Sequence, residues 1–247
     1  AAREELRRGA FQVKIMASGG VASPTDPIWN LQYSLDEMRA IVEEAHGWRT
    51  YALAHAYTPE AITRAVRAGV RSIEHGNLID AETAALMARE GAFLVPTLVT
   101  YFKIEELGRA LGFPAVSQRK VKDVLDAGLA SLEIAKAAGV AIGFGTDLLG
   151  ETHEHQNQEF AIRARVLPAA EILRSATLVN ATLLRREGEL GVVAPGALAD
   201  LLRDHRRLAG ATVDGEGERP DTASDEVGEE VSTLKGCAQR CPAIHDA

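Results

Sequence analysis

Four apolar runs in this 247-residue chain are each followed or closed by a side chain able to bind a metal ion or move a proton. They are Phe11-Gln-Val-Lys14-Ile-Met, Tyr51-Ala-Leu-Ala-His55, Arg71-Ser-Ile-Glu-His75 and Ile142-Gly-Phe-Gly-Thr-Asp147. Taken singly, each has a plain structural reading. A histidine after a strand is commonly just hydrogen-bonded, Lys14 alone would be a snorkelling side chain, and Asp147 alone would cap the next helix. Their shared position is what suggests chemistry, because strand ends in an α/β barrel face one pocket. Two neutral imidazoles and a carboxylate form the borderline ligand set that suits zinc or a similar divalent ion. Lys14 joins such a set only if burial deprotonates it or if it becomes a carbamate, whose two anionic oxygens bridge two metals. His153 and His155, in the polar loop after Asp147, are candidates for the mouth of the pocket, although a solvated loop is the plainer reading.

Positioning these residues requires strands that alternate with helices. The pattern predicts strands over residues 11–17, 50–55, 70–75, 92–95 and 142–147. It predicts helices from a Ser34 capping box to residue 46, from a Thr58 cap with Pro59 in the first turn to Gly69, and over residues 80–90, 116–138 and 168–184. Residues 100–114 read as an irregular, lid-like insertion, and residues 191–202 as a turn and a strand. This rhythm specifies a parallel sheet with helical crossovers.

Composition bounds the function. With 46% hydrophobic and 25% charged residues the chain can bury one large core, and a net charge of -8 argues against a nucleic-acid partner. No apolar run is long enough for a membrane span. Cys237 and Cys241 stand alone without metal-site partners, so the setting expected is reducing and cytoplasmic. Ser18-Gly19-Gly20 matches neither a P-loop nor a dinucleotide fingerprint. Residues 203–247 lack aromatics and carry an acidic run, which predicts a disordered or aberrant tail behind a domain spanning residues 1–202.

The segments Gln12-Val-Lys-Ile-Met-Ala-Ser-Gly-Gly20, Ala54-His-Ala-Tyr-Thr-Pro-Glu-Ala61, Ser72-Ile-Glu-His-Gly76 and Gly143-Phe-Gly-Thr-Asp147 resemble the amidohydrolase superfamily. The nearest branch is that of zinc-dependent dipeptidases and carboxypeptidases, imidazolonepropionase-like or prolidase-like, and the resemblance covers residues 1–202. It implies an α/β fold of the (β/α)8 TIM-barrel type, of which this chain would hold strands four to eight and a remnant of the flanking β-domain. It implies Lys14 as a carboxylated lysine bridging two zinc ions, with His55, His75 and Asp147 as further ligands. It implies hydrolysis of an amide bond in a dipeptide or N-acyl amino acid through a metal-bridging hydroxide, with Asp147 moving the proton and Tyr57 contacting the substrate.

Two departures accompany the resemblance. The family's His-x-His pair does not precede Lys14, which only thirteen residues precede, and His153-Glu-His155 has that spacing but follows the last strand. After Leu202 the charged run Arg203-Asp-His-Arg-Arg207 stands where the family has an apolar strand. The expectation is a part-barrel with open sheet edges that oligomerises with itself or needs its missing half. Two rival readings are a non-catalytic scaffold and a deaminase or cyclic-amide hydrolase of the same superfamily.

Overall fold

In the computed structural model, which describes residues 1–201, the capping signals of the first half form the helices they announce. A short charged helix, α1 (Ala2–Arg7), leads into β1 (Val13–Met16). Ser34 Oγ accepts the Glu37 N–H at 3.2 Å and the Glu37 carboxylate accepts the Ser34 N–H at 2.7 Å, which starts α2 (Leu35–Gly47). After β2 (Ala52–Ala56), Thr58 caps α3 (Pro59–Ala68), which ends at Gly69 with φ 97°. After β3 (Ser72–His75), Asp80 accepts the Thr83 N–H at 2.8 Å and opens α4 (Ala81–Glu90). Then come β4 (Phe93–Val95), α5 (Leu98–Leu107), α6 (Ala115–Ala137) and β5 (Ala141–Ile142).

The five strands form one parallel sheet in chain order. Ile15, Ala54, Ile73 and Leu94 share one face, where they pack with Met38, Ile62, Met87 and Ala135 of the covering helices. Burying each of the larger side chains contributes about 1.5–3 kcal/mol. Ladder register puts Lys14 beside Leu53, and Met16, His55, Glu74 and Val95 in one row on the other face. Polar chemistry and apolar support are thus separated by the alternation of the strands.

Four expectations need correction. The lid-like insertion is instead the helix α5, whose Leu98 and Val99 enter one buried cluster while Tyr101 and Ile104 enter another. Its first half is buried on several sides at once and shows no clean polar face, so its period is hidden. β5 stops at Ile142 rather than at Asp147: Gly143 still donates to the Leu94 carbonyl at 2.8 Å, but the next residue pairs with a side chain. The Asn180 amide takes the Phe144 N–H on its oxygen and gives its own N–H to the Phe144 carbonyl, each at 2.9 Å, and so stands in for a neighbouring strand. The last helix is interrupted: after α7 (Gln158–Arg163) come α8 (Ala169–Arg174), a π turn over Ser175–Val179, and α9 (Asn180–Leu183). No strand forms over residues 191–201, and the expected tail at 203–247 lies outside the described residues.

A buried ion pair fixes the strand ends. Arg163 donates to Glu159 at 2.6 Å, to the Gly143 carbonyl at 2.7 Å and to the Pro96 carbonyl at 2.6 Å. Glu159 accepts the Val99 N–H at 2.7 Å. One pair therefore ties the exits of β4 and β5 to α5 and α7.

Candidate active site

His55, on β2, is buried, and its Nε2 lies 3.1 Å from the Gly19 carbonyl oxygen. A carbonyl only accepts, so Nε2 carries the proton and Nδ1 keeps the lone pair. His75, at the end of β3, is fully buried, and its Nδ1 lies 2.7 Å from Thr97 Oγ1. Its Nε2 has no hydrogen-bond partner, with Asp147 Oδ2 the facing carboxylate oxygen at 3.9 Å. The two imidazoles stand edge to face with centroids 4.5 Å apart.

Strand alternation alone would send His75 to the helix side with Ile73. Its backbone has φ 76°, and the ring lies among His55, Tyr57 and Tyr101 instead. Asp147 likewise has φ 48°. Left-handed conformation at a residue with a side chain is costly, and it is concentrated where function fixes a side chain's direction.

Burial pushes the His55 pKa down to about 4, against the Gly19 bond and with the help of the Lys14 charge. Burial, then His55 and Lys14, holds His75 well below the ordinary range. Both rings are therefore neutral at pH 7, the form that binds metals. Partial burial raises the Asp147 carboxyl while Lys14 draws it down. Burial raises the Tyr57 phenol, which stays protonated and able to donate.

Above the imidazoles lies a cavity of about 270 Å³ whose lining includes Lys14, Gly20, His55, Tyr57, Tyr101 and Asp147. The structure thus brings together Lys14, His55, His75, Asp147 and Tyr57. It does not bring His153 or His155 to that wall: His153 is exposed, and His155 sits beside Glu154 and Gln158. A larger cleft of about 530 Å³, lined by Leu6, Phe11, Trp48 and Leu184, lies at the other end of the strands, away from these groups.

The donor chemistry fits a divalent ion, since His55 Nδ1, His75 Nε2 and a carboxylate are all uncharged or anionic, and His75 Nε2 is a buried atom without a partner. The set is not closed, because among the described residues no three His, Cys, Asp or Glu side chains converge as a metal-holding group. Lys14 is exposed, on the open face of β1.

Four residues escaped the reading of the sequence. Glu74 neighbours His55 in the ladder, accepts the Ser72 hydroxyl at 2.7 Å, and is raised by burial to about 7. A carboxylate inside a buried strand was its signal. Tyr101 donates to the Tyr57 oxygen at 3.0 Å. Thr97 bonds His75. Lys120, buried on α6, donates to the carbonyls of Gly20, Ser23 and Asp26 and so fixes the loop along the cavity. Its signal was a lysine within the helix's apolar stripe, beside Val121 and Val124.

The chain is 33% identical to an ochratoxinase of Aspergillus niger over 183 residues, 74% of this chain and 38% of that protein. A solved prolidase complexed with N-methylphosphonate-L-proline is 59% identical with a TM-score of 0.80, covering 81% of this chain and 49% of that one. A solved Xaa-Pro dipeptidase with methionine in its active site is 34% identical with a TM-score of 0.74, covering 80% and 49%. The chain therefore spans about half, or less, of the length of these relatives. The profile of the amidohydrolase family matches residues 1–216, and the parallel sheet, the histidine pair and Asp147 fall within that span: the chain belongs to the amidohydrolase family.

Proposed function

We propose that this chain carries the ligand face of a metal-dependent hydrolase that cleaves amide bonds in dipeptides with C-terminal proline or in N-acyl amino acids, with β1–β5 as strands four to eight of its barrel. The observation that carries the reading is the buried pair His55 and His75, each bonded through one nitrogen, with the free Nε2 of His75 facing Asp147. The similarity to a prolidase and a Xaa-Pro dipeptidase supports the substrate class.

His55 Nδ1, His75 Nε2 and the Asp147 carboxylate would hold the ion, zinc by donor chemistry, and Lys14 as a carbamate would add two anionic oxygens toward a second. The ion, when bound, supplies Lewis acidity toward a carbonyl and a water. Asp147 takes a proton from the attacking water and passes it to the amine nitrogen as the C–N bond breaks. Tyr57 donates its O–H to the substrate's carbonyl or terminal carboxylate. The loop held by Lys120 closes one wall of the cavity. Phe11 is 82% exposed and Met16 lies on the open sheet face, which supports self-association.

The test is release of free amino acid from a dipeptide panel by the purified chain, abolished by a chelator and restored by zinc. Asp147→Asn should reduce the rate about 10²-fold or more. A chain that neither binds zinc nor hydrolyses any member would sink the reading. A second reading, a scaffold without turnover, draws on the exposure of Lys14 and the open ligand set; it predicts zinc binding without hydrolysis.

A further inference from the structure

Three buried hydroxyls, those of Thr97, Tyr101 and Tyr57, lie beside the histidine pair. Thr97, just after β4, meets His75 Nδ1 at 2.7 Å. Tyr101, in the first turn of α5, gives its proton to the Tyr57 oxygen at 3.0 Å. Tyr57 in turn lies on the cavity wall and stacks on the His75 ring, with centroids 5.3 Å apart.

Each hydroxyl has one proton to give, so the direction of the set is constrained. The Tyr101 proton is committed to Tyr57. Thr97 Oγ1 either gives its proton to His75 Nδ1 or accepts one from it. The first choice places the imidazole proton on Nε2, which is buried without a partner, 3.9 Å from Asp147 and beyond hydrogen-bond range. A buried N–H without an acceptor is costly. The second choice has Nδ1–H donate to Thr97 and leaves Nε2 as a bare lone pair, open to a cation. The Tyr57 oxygen accepts from Tyr101, so the Tyr57 proton is free to point into the cavity.

We propose that Thr97 is a positioning residue that holds His75 as its Nδ1–H tautomer, and that Tyr101, by donating to the Tyr57 oxygen, turns the Tyr57 O–H toward the substrate. Thr97 touches neither substrate nor ion. It sets which nitrogen of His75 keeps a lone pair. What Nε2 and Tyr57 face rests on the hydrolase reading; the tautomer does not.

The experiment is nitrogen NMR of the full chain labelled with ¹⁵N-histidine at pH 7.5, without metal. His75 is expected as Nδ1–H in the wild type and in Thr97→Ser, which keeps the hydroxyl. Thr97→Val should raise the Nε2–H population by about fivefold or more. Titration with cobalt(II) alone should then show affinity about 10- to 100-fold weaker in Thr97→Val than in Thr97→Ser. A wild-type His75 protonated on Nε2, or a tautomer unchanged by Thr97→Val, overturns the proposal. A wild type that takes up no cobalt yet keeps the Nδ1–H tautomer supports it and counts against the hydrolase reading instead.

Discussion

His55 and His75 are held by opposite nitrogens: His55 through Nε2 to the Gly19 carbonyl, His75 through Nδ1 to Thr97. Two identical side chains on neighbouring strands therefore keep different nitrogens free. The difference comes from their supports, one a loop carbonyl after β1 and the other a hydroxyl after β4. This arrangement, rather than the presence of two histidines, sets which ring atom of each is available.

The pH dependence of stability has two opposed parts. His55 has a folded pKa of about 4 against an ordinary 6.5, so the unfolded chain binds the proton more tightly and stability falls as pH drops from 6.5 toward 4. Glu74 has a folded pKa of about 7 against 4.5, so its neutral form suits the fold and stability falls as pH rises from 4.5 toward 7. The two offset one another between those limits, each with a slope of up to about 1.4 kcal/mol per pH unit. Urea unfolding at intervals of pH should show Glu74→Gln gaining stability with pH more steeply than the wild type, and His55→Asn less steeply. Parallel profiles for all three proteins would contradict this assignment.

Arg163→Met leaves Glu159 as an unpaired buried carboxylate and frees the Gly143 and Pro96 carbonyls. A loss of about 3–5 kcal/mol is expected from denaturant midpoints. A loss below 1 kcal/mol would mean that the pair does not fix the strand exits.

Lys120→Met removes the donor shared by Gly20, Ser23 and Asp26 while keeping much of the aliphatic stem. Hydrogen exchange should accelerate over residues 20–26, with about 1–3 kcal/mol lost overall. If exchange in that loop is unchanged, the lysine is not what orders the cavity wall.

Asn180→Asp keeps an acceptor for the Phe144 N–H but sets a carboxylate oxygen against the Phe144 carbonyl. Thermal unfolding should show about 1–3 kcal/mol of destabilisation, larger at pH 8 than at pH 4. Equal losses at both pH values would point to packing rather than charge.

The first half of the fold was legible because its signals are local. Ser34, Thr58 and Asp80 cap through their own side chains, and the residues of β1–β4 alternate between helix side and open face. α5 was not legible because its first half is buried on several sides at once, and β5 was overextended because an amide thirty-six residues away replaces a strand. His55 and His75 were readable as histidines closing their strands, whereas Lys14 lies inside β1 and Asp147 stands in the loop beyond β5. The geometry that gives them meaning was not: the φ of His75, the hydroxyl of Thr97 and the clamp of Lys120 all depend on residues distant in sequence.

Asp147 is strained in its backbone, 44% exposed in its side chain and, among the described residues, makes no side-chain hydrogen bond, its ion-pair partner His75 standing 3.9 Å away. Folding therefore gains little from having aspartate there, and glycine would relieve the left-handed conformation with almost no packing lost. A variant library sorted for thermal tolerance should empty position 147 of aspartate, while one sorted for turnover should refill it. At this position an engineer optimising heat resistance and an engineer optimising rate would select against each other.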